Sequence, residues 1–88
     1  MIERRQHKRF RTLEFGKATP LRNDSSIDCI VRNLSFEGAC LQFDDTSGLP
    51  EEFHLKIPIE NLKLVCRVIW RSQDRVGVAF RQSIPNVG

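Results

Sequence analysis

The sequence predicts an all-β fold, a small six-stranded antiparallel β-barrel with a flexible N-terminal arm and little helix. From residue 27 onward, apolar residues recur with a period of two, which is typical of strands. No segment sustains the i, i+3, i+4, i+7 stripe of an amphipathic helix. The 88 residues make one small domain, and the sheet edges of a domain this size need closure or cover, which favours a barrel or sandwich.

Six strands are predicted in chain order, and side-chain alternation assigns each an inward face. The first, around Leu13 to Thr19, is the least clearly patterned. The other five place these residues on one face each: Ile27, Cys29 and Val31; Ala39, Leu41 and Phe43; Phe53, Leu55, Ile57 and Ile59; Leu62, Leu64, Cys66, Val68 and Trp70; Val76, Val78 and Phe80.

The segments between these strands are rich in turn-forming residues. Residues 23–26 and 44–48 are clusters of Asn, Asp, Ser, Thr and Gly, and residues 72–75 are short enough for a hairpin loop. Pro58 should place its strand at a sheet edge or end it there. Residues Pro50 to Phe53 are the one place where we expect a helical turn.

Positive charge is concentrated at the N-terminus. The net charge is +3, but residues 1–11 hold five basic side chains and one acidic side chain, whereas the rest of the chain holds nine basic and ten acidic ones. We therefore expect a basic arm, residues 1–11, attached to a nearly neutral domain, residues 12–88. Such an arm is suited to contact something anionic.

Enzymatic activity is not indicated. The two histidines, His7 and His54, belong to no nucleophile–base–carboxylate arrangement, and there is no Gly-rich phosphate loop. His54 alternates with apolar neighbours, so we expect a surface histidine. The carboxylates near residues 44–52 are best explained as a solvated acidic loop. The prediction is a protein without catalytic residues.

The cysteine spacing argues against a metal site, and the hydropathy argues against membrane insertion. Cys29, Cys40 and Cys66 form no C-x-x-C pair, so no metal site is expected. Each lies in an apolar segment, as buried free thiols do, and the alternatives are a structural disulfide or a reactive thiol. No apolar run approaches the roughly 20 residues that span a bilayer, and no signal peptide is recognisable. We expect no membrane insertion and a cytoplasmic location.

Two short segments carry the binding chemistry. In the arm, Arg5 and Arg9 are four residues apart with Arg4 directly before, and guanidinium groups can bind phosphates in bidentate fashion and stack on bases. Alone, such an arm is equally explained as a solvated tail or as a non-specific contact with nucleic acid. The second segment, residues 33–38, falls between two predicted strands; alone, it is a turn in which Gly38 permits an unusual backbone angle.

Together, these segments resemble the PilZ domain, a bacterial receptor for cyclic di-GMP. The family's R-x-x-x-R motif is matched by Arg5-Gln6-His7-Lys8-Arg9, and its [D/N]-x-S-x-x-G motif by Asn33-Leu34-Ser35-Phe36-Glu37-Gly38. Residues 68–71 and 77–80 also resemble the last two strands of the family. The resemblance covers about residues 3 to 81.

The resemblance implies a role for each matched residue. Arg5 and Arg9 would contact the phosphates and guanine faces of cyclic di-GMP. Asn33 and Ser35 would hydrogen-bond its guanine edge or phosphate region, and Gly38 would allow the turn. Trp70 is a further candidate that could pack on the ligand or the arm, although a Trp on an apolar strand is more often core. Arg4 tends to accompany binding of two intercalated ligand molecules in the family.

The resemblance also implies a mechanism and its alternatives. Cyclic di-GMP would order the arm over the barrel and create a surface for a downstream protein, with no other cofactor. The alternative is a protein-interaction module of the same fold that does not bind nucleotide. Specific DNA or RNA binding is not expected, and non-specific nucleic-acid binding through the arm ranks last. Many family members add a C-terminal helix that covers the barrel, and Pro85 disfavours a long helix here. The barrel end is then covered differently, by residues beyond Gly88 or by a partner, and oligomeric state stays open.

Overall fold

Six antiparallel strands close into a barrel. The computed structural model describes residues 10–22 and 25–81, with backbone alone for residues 10–12. The strands are β1 (Phe10–Pro20), β2 (Ile27–Leu34), β3 (Gly38–Gln42), β4 (Glu52–Ile57), β5 (Leu62–Arg71) and β6 (Arg75–Phe80). Their order around the barrel is β1-β2-β3-β6-β5-β4, and β4 pairs with β1 to close it. The predicted six-stranded antiparallel barrel is confirmed, whereas the predicted flexible arm, apart from residues 10 and 11, lies outside the described residues.

The barrel interior is filled by the residues that alternation placed on inward faces. Burial of this kind is the main favourable term in folding a small domain. Most of the predicted inward residues of β2 to β6 are buried, and Leu49 joins them from the β3–β4 connection. The buried apolar residues are Ala18, Cys29, Val31, Leu41, Phe43, Leu49, Phe53, Leu55, Ile57, Leu64, Cys66, Val76, Val78 and Phe80.

Strand β1 has an unusual distribution of side-chain sizes, which explains its weak sequence pattern. Its interior positions are taken by the small residues Gly16 and Ala18, whereas Leu13 and Phe15 lie outside, Leu13 with 71% of its surface exposed. β1 begins at Phe10, so its first two residues fall within the range that sequence analysis gave to the arm.

Two expectations about the segments on either side of β4 were wrong. Residues 50–53 form no helical turn; β4 begins at Glu52, and the helical turn is a 3-10 turn at Pro58–Glu60. Pro58 ends the strand as predicted, because it cannot donate to the ladder. The chain then leaves the strand period of two, so Ile59 lies outside the barrel and is 75% exposed instead of facing the core with Ile57.

Arg71 fastens the long β3–β4 connection to the barrel. Its Nη1 donates to the carbonyl oxygens of Thr46, at 2.6 Å, and Leu49, at 2.8 Å. The buried Thr46 hydroxyl in turn donates to the Ser72 carbonyl oxygen at 2.6 Å. These bonds satisfy backbone groups of an irregular segment that would otherwise be buried without partners.

All three cysteines lie among the described residues and are free. Cys29 and Cys66 are buried in the barrel, and burial raises the pKa of each thiol to about 12, with smaller contributions from Asp28 on Cys29 and from Cys29 on Cys66. Cys40 is half-buried on the outer side of β3. The expected buried thiols are therefore confirmed for two of the three.

The part of the chain that the structure describes contains no helix long and apolar enough to cross a bilayer. The same residues hold no group of three or more His, Cys, Asp or Glu side chains that could bind a metal ion.

Candidate functional site

An open cleft of about 490 Å³ lies on the outer surface of the barrel, where the β2–β3 turn meets β5 and β6. This volume is within the range of about 300–1,000 Å³ found for small-molecule sites. The cleft contains every predicted site residue of the barrel: Asn33, Ser35, Gly38 and Trp70. The other lining residues are Leu34, Glu37, Ala39, Cys40, Ile69, Gly77, Val78 and Ala79.

The floor of the cleft is a single row of paired residues running across four strands. Asn33 of β2 is opposite Cys40 of β3, Cys40 is opposite Gly77 of β6, and Gly77 is opposite Trp70 of β5. The row thus places Asn33 and Trp70, which are far apart in the chain, at the two ends of one cleft.

Two β-bulges put these end residues on the outer face. The β2–β3 register shifts between Val31 and Asn33, and the β5–β6 register shifts between Val68 and Trp70. An extra residue in one strand reverses the alternation beyond it. Val31 therefore faces the interior while Asn33, two residues later, faces the cleft.

The same effect corrects the placement of Trp70. The alternating sequence pattern predicted that Trp70 faces inward with Leu64 and Cys66. The bulge instead turns its side chain outward, so 49% of the residue's surface is exposed. Its indole covers Gly77, since a Cβ at that position would overlap the ring. An aromatic face in an open cleft is suited to stack on a planar base.

The Ser35 hydroxyl organises the turn at the edge of the cleft. It donates to the Gly38 carbonyl oxygen at 3.2 Å and accepts from the amides of Glu37 and Gly38 at 3.3 and 3.2 Å. The Ser35 amide also donates to the Gly38 carbonyl oxygen at 2.9 Å. A serine closing its own turn in this way fixes the turn's backbone. The ligand contact predicted for Ser35 would be made by a hydroxyl that already holds the turn.

Gly38 is required for a reason other than the one predicted. Its φ is outside the left-handed region, so no unusual backbone angle demands a glycine there. Instead, a Cβ at Gly38 would overlap the carbonyl oxygen of Val78. The absence of a side chain lets the start of β3 approach the backbone of β6 closely.

The cleft's own charge is negative. Among its described lining residues, Glu37 alone carries a charged side chain. Arg4, Arg5 and Arg9 lie outside the described residues. The strand that follows them begins beside the cleft, however, because Phe10 pairs with Leu34, and Arg11 pairs with Asn33. The basic segment is therefore covalently attached at the edge of the cleft.

Several cleft residues were not found from the sequence as site residues. Cys40 and Gly77 lie in the floor through strand pairing alone, and Ile69 is the extra residue of the β5 bulge. No local sequence signal marks a bulge here, because it depends on how β5 and β6 pair. Glu37 could have been found, since it lies inside the quoted motif.

The barrel with its surface cleft has the form of a ligand-binding domain. A family model described as the PilZ domain matches residues 3–87, a range that includes both motifs. The chain belongs to the PilZ domain family, a family of ligand-binding receptor modules for cyclic di-GMP. A comparison with curated proteins finds no match.

Proposed function

We propose that this protein is a cyclic di-GMP receptor, in which the ligand occupies the cleft and the N-terminal arm closes over it. One observation carries the proposal: the cleft brings Asn33, Ser35, Gly38 and Trp70 together at the point where the arm joins the barrel. Family membership supports the identity of the ligand.

Barrel and arm would contribute different chemistry. The barrel offers the Asn33 amide, the backbone of the Ser35 turn and the Trp70 indole, which suit a guanine base. Stacking of a base on an aromatic side chain is worth about 1–3 kcal/mol. The ligand's two phosphates need positive charge, which the described lining residues lack, and Arg5 and Arg9 would supply it. A ligand with both bases and phosphates therefore needs both parts.

The arm can reach the cleft. Arg9 precedes Phe10 directly, and Arg5 is four residues further back, a span of at most about 15 Å in an extended chain. Ordering these five residues costs about 5–10 kcal/mol of backbone entropy. Two guanidinium groups that each make two charge-assisted hydrogen bonds would contribute about 6–12 kcal/mol of binding free energy. The near balance makes arm closure depend on the ligand.

Ligand-dependent closure would make the domain a switch. The closed arm and its exposed side form a surface that is available to a downstream protein only when cyclic di-GMP is bound, as in other order–disorder transitions. The ligand is then the signal, and the arm transmits it.

Isothermal titration calorimetry of the purified protein with cyclic di-GMP tests the proposal, with cyclic di-AMP and GTP as controls. We expect micromolar or tighter binding of cyclic di-GMP. Arg9→Ala should lower the affinity at least tenfold. Arg22→Ala is the matched control, because Arg22 is exposed in the connection between β1 and β2, at the opposite end of those strands from Asn33. No heat with the wild-type protein rejects the proposal.

A second experiment separates this receptor from the nucleotide-independent interaction module. Limited proteolysis cleaves after the arm's basic residues, and cyclic di-GMP should slow that cleavage in the wild-type protein. Protection that appears only with a protein partner, and never with nucleotide, would favour the interaction module instead.

A further inference from the structure

Glu37 presents an electrostatic conflict within the proposed site. It lies in the turn between Ser35 and Gly38 and lines the cleft with an exposed side chain. A carboxylate beside a dianionic ligand is repulsive if it meets a phosphate. Such a residue is expected to weaken binding unless it contacts a different part of the ligand.

The position of Glu37 is held firmly. Its amide donates to Ser35 Oγ at 3.3 Å, and its carbonyl oxygen accepts from the Phe80 amide at 2.8 Å. The backbone is thus tied to both the turn and β6, and only the side chain is free to adapt. Only the side chain, and not the backbone, has to be ordered when this carboxylate meets a ligand in the cleft.

Guanine and adenine differ at the edge that a carboxylate can bind. Guanine offers two adjacent donors, N1–H and the N2 amino group, which match the two oxygens of a carboxylate. Adenine offers one donor, the N6 amino group, beside the lone pair of N1, which a carboxylate repels. A carboxylate accepts hydrogen bonds only, whereas the amide of Gln both donates and accepts.

We propose that the Glu37 carboxylate binds the N1–H and N2 amino edge of a guanine base and selects guanine over adenine in this cleft. The inference rests on the proposed function and deepens it. It assigns the negative charge in the cleft to base recognition and leaves phosphate binding to the arm. Glu37 is a specificity-determining residue in this assignment.

Glu37→Gln distinguishes recognition from simple repulsion by the sign of its effect. If Glu37 only repels the phosphates, removing its charge should tighten cyclic di-GMP binding. If it binds guanine, the variant should bind cyclic di-GMP about tenfold more weakly, within the range measured for loss of a bidentate base contact. The variant should also bind cyclic di-AMP more tightly than the wild-type protein does, because the amide can donate to adenine N1.

The experiment is calorimetric titration of wild type, Glu37→Gln and Asp44→Asn with both cyclic dinucleotides. Asp44 is exposed in the β3–β4 connection and is not among the residues that line the cleft, so its variant measures the effect of the same charge change elsewhere. Far-ultraviolet circular dichroism checks that each variant is folded, which is expected because both side chains are exposed.

The outcomes are distinct. If the wild-type protein binds neither dinucleotide, the proposed function fails and this inference fails with it. If wild type binds cyclic di-GMP and Glu37→Gln binds it equally or more tightly, the receptor stands and the inference is overturned. An unchanged ratio of the two affinities in Glu37→Gln overturns it as well. Weaker cyclic di-GMP binding with a reduced preference over cyclic di-AMP, absent from Asp44→Asn, supports it.

Discussion

Replacing Gly38 with alanine should strongly destabilise the barrel. A Cβ there overlaps the Val78 carbonyl oxygen, a backbone atom that cannot rotate away as a side chain can. Gly38 also pairs with Ala79, and its carbonyl oxygen accepts from the Ser35 amide at 2.9 Å. To make room, β3 must move away from β6 at the end where the turn is anchored.

The magnitude follows from the two interactions that are lost. Overpacking typically costs about 1–3 kcal/mol. A strained or broken hydrogen bond at the Ser35 amide adds about 1 kcal/mol. The free energy of unfolding should fall by about 2–4 kcal/mol, a large part of the roughly 5–15 kcal/mol of a typical domain. The melting temperature of a chain this size should fall by at least about 8 °C.

Urea unfolding followed by circular dichroism and by fluorescence measures this change, and Gly48→Ala is the control. A Cβ at Gly48 meets no atom within 4 Å, so that variant should stay within about 0.5 kcal/mol of wild type. If Gly38→Ala unfolds at the same urea concentration as Gly48→Ala, then β3 and β6 do not approach as described and the explanation of Gly38 is wrong.

Four further predictions concern the cleft, the thiols and the β3–β4 connection. Gly77→Ala should displace the indole of Trp70, the chain's single tryptophan, from the backbone of β6. Its fluorescence should shift to longer wavelength and cyclic di-GMP binding should weaken about tenfold; an unchanged spectrum would contradict the contact between the indole and Gly77. In native protein, a thiol reagent at pH 8 should modify Cys40 quickly, and Cys29 and Cys66 only after urea is added. Equal rates for the three thiols would show that Cys29 and Cys66 are not buried as described. Because burial raises the pKa of Cys29 and Cys66 from 9.0 to about 12, the unfolded chain loses these protons first. In reducing buffer, the contribution of these two thiols to the free energy of unfolding should therefore be fully present below about pH 9 and should be lost as the pH rises toward 12. The free energy should decline more steeply with pH in wild type than in a Cys29→Ala variant, and equal slopes would refute this. Arg71→Ala should lower the free energy of unfolding by about 1.5–3 kcal/mol and speed proteolysis at residues 44–50, whereas exposed Arg67→Ala should do neither.

The strands could be predicted because their core-facing residues alternate locally. Leu41, Leu55 and Val76 all face the interior, as their sequence positions indicate. Alternation follows from the strand's own geometry, so it holds wherever the pairing with neighbouring strands is regular. It failed at Ile59, where Pro58 starts a 3-10 turn, and in β1, where Gly16 and Ala18 supply the interior face without a hydrophobic signal.

Sequence analysis singled out four residues that the structure brings together in one cleft, but it did not predict their geometry. The motif identified Asn33, Ser35 and Gly38, yet the reason for the glycine is a contact with β6, about 40 residues later in the chain. The orientation of Trp70 likewise depends on a bulge in its pairing with β6. Both are consequences of strand pairing over long sequence separations, which a local pattern does not contain.

The four-strand row under the cleft links recognition to completion of folding. Its members come from β2, β3, β6 and β5, so a nascent chain that has not yet added its last strand lacks the Gly77 platform on which the indole rests. A dinucleotide that selects the finished barrel would oppose unfolding of the entire domain, by RT ln(1 + [L]/Kd), and not of one loop alone. In the proposed receptor, cellular levels of the ligand would then also regulate the lifetime of this small protein.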